Sequence, residues 1–179
     1  AMRTCLVGSE MCIRDSTMSR LDSAIRRLNS QKIALEWAAR KVAQLDGIIL
    51  ELGLGNGRTY DHLREILPNR DIYVFERKIA AHPDCIPEEK FQFLGDFRDS
   101  LPIANKKLGA NSILAHLDIG TGEKKASQQL AEQIGPLVLS LMKRGSIIVS
   151  DQELISCSHI RIDPPLNIPK DRTFIYNLA

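Results

Sequence analysis

The 179-residue sequence has only four cysteines, Cys5, Cys12, Cys85 and Cys157, and none of them forms a CxxC pair or a Cys/His group at zinc-binding spacing. Nothing in that pattern supports a metal set. Scattered thiols of this kind suit a reducing compartment, so a cytoplasmic location is expected. Charge of one sign is also lacking. The 24 basic and 22 acidic residues leave a formal net charge of +2, too little for a strong field toward nucleic acid or an anionic membrane. Long apolar runs are missing as well. Leu137 to Met142 is stopped by Lys143 and Arg144, far short of the roughly 20 residues that span a bilayer. What remains is a chain of 44% hydrophobic residues, enough for one contiguous core and one domain, without repeats or low-complexity segments.

Residues 1–17 (AMRTCLVGSEMCIRDST) carry neither helical nor strand periodicity and lack the apolar centre of a signal peptide. They are read as a non-native or disordered tail, with the native start at Met18 and one domain over 18–179. From Ser19 to Leu45 the spacing is helical, through Leu21, Ile25 and Leu28. Asn29-Ser30 is expected to break it, with Ser30 capping a second helix that buries Ile33, Trp37, Ala38, Val42 and Leu45. Strands are expected at Ile48–Leu52, Asp71–Glu76, Phe91–Leu94, Ser112–Ile119, Ser146–Ser150 and Thr173–Asn177. Helices are expected at Arg58–Leu67, near Ile79, at Arg98–Leu108 and at Glu123–Met142, with a kink at Pro136. Strand and helix alternating in this way predict an α/β fold: a Rossmann-like, doubly wound, mostly parallel sheet with helices on both faces and N-terminal helices.

The informative segment is Glu51-Leu52-Gly53-Leu54-Gly55-Asn56-Gly57-Arg58-Thr59. A continuous apolar strand, the kind buried on both faces of a parallel sheet, feeds a loop with glycine at every second position, and a helix follows. Glycines allow positive φ and let a ligand lie against the main chain. The helix N-terminus adds free N–H groups. The dinucleotide fingerprint is GxGxxG. Here the spacing is GxGxG, with Arg58 where the third glycine would stand. Acids close successive strands: Glu76 after the second, Asp96 in Gly95-Asp96-Phe97 after the third, and Asp118 in Leu117-Asp118-Ile119-Gly120 after the fourth.

The pattern (E/D)xGxGxG with these ordered acids resembles class I S-adenosylmethionine-dependent methyltransferases, over about Ile48 to Val149. Its short length and GNGRTYDHL run look like the small bacterial members. The resemblance implies S-adenosyl-L-methionine as cofactor. Gly53, Gly55 and Gly57 would lie under its methionine part. Glu51 would engage the amino group through water, and Glu76, with Arg77 beside it, would accept from the ribose hydroxyls. Asp96 would accept from the adenine amino group while Phe97 packs on the ring, and Asp118 would stand near the methionine end and the substrate. Arg58 and Thr59 open the helix beside the loop, placed to meet the cofactor carboxylate. A ligand with an ammonium and a sulfonium but no pyrophosphate explains why acids are useful around this loop.

Each residue also has a plainer reading. Glu51 would be a solvated strand end, Glu76 a surface partner of Arg77 or Lys78, Asp96 a helix cap and Asp118 a turn residue. His62 is read as a helix-surface residue. His116, which shares a sheet face with Asp118, is read as a packed histidine. No catalytic residue is assigned, since methyl transfer needs alignment more than acid–base groups. The expected partner is a small-molecule methyl acceptor, with no nucleic acid or membrane, and a homodimer is admitted. The alternatives are an NAD-dependent oxidoreductase, disfavoured by the glycine spacing, and an S-adenosylmethionine-binding module without catalysis.

Overall fold

The computed structural model describes residues 19–165, 168 and 172–179. The reading of residues 1–17, with Cys5 and Cys12, lies outside them. A long helix, α1 (Arg20–Val42), opens the described chain. Strands and helices then follow in the order β1 (Ile48–Leu52), α2 (Arg58–Ile66), β2 (Ile72–Glu76), β3 (Gln92–Leu94), α3 (Phe97–Leu108), β4 (Ser112–Leu117) and α4 (Lys124–Leu139), alternating except between β2 and β3. Then come β5 (Met142–Ser150), β6 (Arg161–Ile162) and β7 (Phe174–Asn177). One seven-stranded sheet runs in the order β3-β2-β1-β4-β5-β7-β6. The first five strands are parallel, and β7 pairs antiparallel with both β5 and β6.

Alternate side chains of each strand enter two separate cores. Ile49, Val74, Leu114 and Val149 pack with Ala34, Leu35, Ala38 and Val42 of α1 and Leu63 of α2. Leu50, Leu52, Phe75, Ala115, Leu117 and Ile148 pack on the opposite face with Leu101 of α3 and Ile134 and Val138 of α4. This is the doubly wound arrangement expected from the alternation. Each fully buried leucine here contributes roughly 1.5–3 kcal/mol by leaving water. The chain lays down β1, β2 and β3 toward one edge, then returns to place β4 and β5 on the other side of β1. The reversal leaves a crevice at the carboxyl ends of β1 and β4, where open α/β sheets bind ligands.

Three local expectations are corrected. The N-terminal helices are one helix, because Ser30 does not start a new one: its hydroxyl donates to the Arg26 carbonyl at 2.8 Å and is satisfied within α1. No helix forms near Ile79; short 3₁₀ turns at Pro83–Cys85 and Glu89–Phe91 take its place. β5 begins at Met142 rather than Ser146, since Gly145, at φ 83°, passes along the strand instead of opening it. The two-residue β6 has no periodicity to betray it.

Candidate functional site

The loop after β1 is shaped by its glycines in three different ways. Gly53, at φ 88°, lies so close to β4 that an added Cβ would stand 2.2 Å from the Asp118 carbonyl oxygen. Gly57, at φ 83°, faces Cys85, whose Cβ would be 2.4 Å from a new side chain. Gly55, at φ 50°, has nothing within 4 Å of where its Cβ would be. The first and third glycines therefore let the loop close on the protein, and the middle one leaves its outer face open to a ligand.

Above this loop is a cavity of about 380 Å³, lined by Gly53, Gly55, Glu76, Arg77, Phe97 and Asp118, with Arg27 and Asn56 at its edge and Ile119, Gly120, Thr121 and Leu130 completing it. Glu76 ends β2, and its carboxylate is fixed by main-chain donors: the Gly55 N–H at 3.1 Å and the Arg77 N–H at 2.8 Å. Asp118 receives the Arg27 guanidinium at 3.0 Å, an ion pair with both side chains partly exposed. Phe97 starts α3 and is buried at the apolar end with Ile119 and Leu130. A smaller cavity of about 70 Å³ continues beneath α1 and adds Arg58, Thr59 and Leu54 to the lining.

Two of the predicted acids are turned elsewhere. Glu51 is fully buried. Thr59 donates to its Oε1, and His116, its register partner on β4, lies with Nδ1 2.8 Å from Oε2. An ionised carboxylate only accepts, so Nδ1 carries the proton and donates. Burial pushes the His116 imidazole down. The Glu51 carboxylate, by charge and hydrogen bond, outweighs this with help from Asp118 and Asp151 and holds it above the ordinary histidine range. Asp96 caps α3 by accepting from the Arg98 N–H at 2.9 Å, and the Arg98 side chain meets both its oxygens at 2.7 Å. Those bonds, with Arg77 at 3.6 Å, hold its carboxyl well below the usual carboxylate range. Neither Glu51 nor Asp96 lines the cavity over the glycine loop, and Gly57 stands behind that loop. His62 lies in a different place, on α2 between Glu36 and Glu65, each at 3.7 Å.

Sequence reasoning did not single out Arg27, Asn56, Gln31 or Asp151. Asp151, at the end of β5, accepts from the Ile119 and Gly120 N–H groups at 3.0 and 2.9 Å and so shapes the loop after β4. Burial pushes its carboxyl up. Arg27 sits in an Arg-Arg pair on α1, and nothing local says that this helix crosses the ends of β1 and β4. Among the described residues there is no group of histidine, cysteine and acids able to hold a metal, and no helix long and apolar enough to cross a membrane.

The family model of S-adenosyl-L-methionine methyltransferases matches residues 18–178. No curated protein matches the chain. The crystal structure of an S-adenosyl-L-methionine methyl transferase from Silicibacter pomeroyi DSS-3 superposes with a TM-score of 0.84 at 38% identity, covering 90% of this chain and 99% of that one. A probable spermidine synthase from Corynebacterium glutamicum ATCC 13032 shares the fold at TM-score 0.51 and 16% identity, over 84% of this chain and 64% of that one.

Proposed function

We propose that this chain, which belongs to the S-adenosyl-L-methionine methyltransferase family, holds its cofactor in the cavity over Gly53 and Gly55, between Glu76 and Asp118. The donor set there fits the group. Two carboxylates, two arginines and one apolar end match a ligand that has hydroxyls, an amino-acid head and an adenine. The chain is thus an S-adenosyl-L-methionine-dependent methyltransferase, and the oxidoreductase reading has no support from either comparison. One sheet gathers the strands between Ile48 and Asn177, which supports treating 18–179 as a single cofactor-binding domain.

When bound, S-adenosyl-L-methionine supplies an electrophilic methyl group on a sulfonium. The chain's own residues do the positioning. Glu76, already oriented by the Gly55 and Arg77 amides, accepts from the ribose hydroxyls. Arg27 and Asp118 form the ion pair into which a zwitterionic amino-acid head inserts, its carboxylate toward Arg27 and its ammonium toward Asp118. Phe97, Ile119 and Leu130 exclude water from the adenine side. Arg58 lies near enough through the smaller cavity to add positive charge at the carboxylate. Thr59 and Glu51 act from below, by fixing the first turn of α2 and the end of β1. Asp96 acts through α3, holding Phe97 at its first residue. The acceptor is read as a small molecule and the site of action as the cytoplasm, with a homodimer still admitted.

The observation that carries this reading is the open face of Gly55 beside the Glu76 carboxylate. Calorimetric titration with S-adenosylhomocysteine tests it. Micromolar binding, about −8 kcal/mol, is expected. No heat at millimolar ligand removes the assignment.

A further inference from the structure

Across the Arg27–Asp118 pair from the cofactor cavity lies a second cavity of about 200 Å³. Its walls include Gln31 from α1, His116 from β4, Asp151 from the end of β5, and Arg172 just before β7. Arg27 borders both cavities, so the two lie side by side. Three features of this second cavity are unexplained by folding. Gln31 is 5% exposed, yet neither its amide nitrogen nor its amide oxygen has a hydrogen-bond partner. Buried amides are normally satisfied, so both are left for whatever occupies the cavity. Arg172 makes one long hydrogen bond, 3.4 Å to the Ser23 hydroxyl, and no ion pair with an acid among the described residues. His116 has Nδ1 committed to Glu51, and no described residue bonds Nε2.

We propose, resting on the cofactor reading above, that this cavity is the methyl-acceptor site. It takes a small organic acid whose carboxylate or similar oxyanion meets Arg172. The accepting O–H or N–H of that molecule meets Nε2 of His116. Gln31 fixes the acceptor by donating and accepting at once. In the transfer, the O–H or N–H bond pair becomes the new bond to the methyl carbon. The carbon–sulfur bond breaks with its electron pair on sulfur, and the proton goes to Nε2. His116 is then the catalytic base, and Glu51 a positioning residue that selects the tautomer. The charged groups around His116 are Glu51 from β1, Asp118 at the end of its own strand, Asp151 from β5, Arg27 from α1 and Arg172 before β7.

The test uses the whole chain with its four histidines labelled with ¹⁵N, the His116 signals being assigned from H116N. Benzoate and its neutral isostere benzamide are titrated to about 50 mM, where even a millimolar Kd saturates. Both titrations are run with and without S-adenosylhomocysteine. Benzoate is expected to move the His116 ring signals saturably, benzamide at least tenfold more weakly, and R172Q to erase the difference. An absent benzoate response, or one that benzamide or R172Q reproduces unchanged, overturns the proposal. The midpoint of the His116 titration is expected to fall in E51Q; a midpoint that stays put overturns the role given to Glu51. Calorimetry with S-adenosylhomocysteine on the wild type, H116N and R172Q separates the two readings. A wild type that binds no S-adenosylhomocysteine removes the cofactor reading, while the benzoate result without it still decides the anion site. Loss of S-adenosylhomocysteine binding only in R172Q overturns the second cavity as distinct from the first.

Discussion

Glu76 and Asp118 hold their carboxylates at the cavity, whereas Glu51 spends its own in the interior and Asp96 gives its own to Arg98 at the start of α3. All four lie at or next to the carboxyl ends of neighbouring parallel strands. The difference is in their partners. Glu76 is gripped by two main-chain amides, and an anion so held can still accept from a ligand. Among the described residues the side-chain partner of Asp118 is Arg27, partly exposed and free to be displaced. Glu51 sits one residue before the end of β1 and so points under α1 rather than out of the sheet edge, into Thr59 and His116. Asp96 is one residue beyond the turn at Gly95, where the first free amides of α3 claim it. A carboxylate is available to a ligand according to which donors reach it first.

The sharpest way to break this contrast is Glu51→Ala. It leaves a buried imidazole without its counter-charge, and loss of one partner of a buried pair costs about 3–5 kcal/mol. Urea unfolding at pH 6 should show that loss, and Glu76→Ala should show less than about 1 kcal/mol, because water replaces the carboxylate as acceptor for the Gly55 and Arg77 amides. The pH dependence adds a sign. A group whose folded pKa is raised gives stability that is fully present below its unfolded value, about 6.5 for histidine, and lost as pH rises through the folded value. His116 is such a group. The wild type should therefore lose stability from near-neutral pH upward, and a Glu51→Gln variant should have a flatter profile there. Equal slopes in the two proteins would remove the ion pair as their cause.

Affinity should reverse the order. Glu76→Ala is expected to weaken S-adenosylhomocysteine by roughly 10- to 100-fold, the 1.5–3 kcal/mol of hydrogen bonds to a charged group. A fold-change under about three, read by calorimetry, would move the ribose away from β2.

The sequence made the layers legible because hydrophobic alternation and glycine placement are local properties. Ile48 to Leu52, the GxGxG loop and the acids after it were readable without tertiary information, and so was the sheet they build. The expectation for Ser30 went wrong because a serine that caps a helix and one that back-bonds within it look the same in a string. Arg27 and Gln31 were invisible for a related reason. Which face of a long amphipathic helix crosses a cavity depends on how it packs against β4 and β5, and the periodicity of α1 says only that one face is apolar. The contact between Glu51 and His116 needed the register of β1 against β4, which is fixed across 65 residues rather than within a motif.

The smallest expected effect concerns Asp96, where two readings of one residue part. The family resemblance gives its carboxylate to the adenine amino group, and its hydrogen bonds in the fold go to Arg98. If the second governs, Asp96→Ala removes a helix cap and costs about 1 kcal/mol of stability, with Asp96→Asn recovering most of it because asparagine caps nearly as well. S-adenosylhomocysteine affinity should then change less than about threefold in either variant, under 1 kcal/mol. If the carboxylate instead leaves Arg98 to meet the adenine, Asp96→Ala weakens the nucleoside more than about threefold, and Asp96→Asn weakens it less because its amide oxygen can still accept from the amino group. Paired melting and calorimetry on the two variants therefore decide whether Asp96 belongs with Glu51, working from within the fold, or with Glu76 and Asp118 at the cavity.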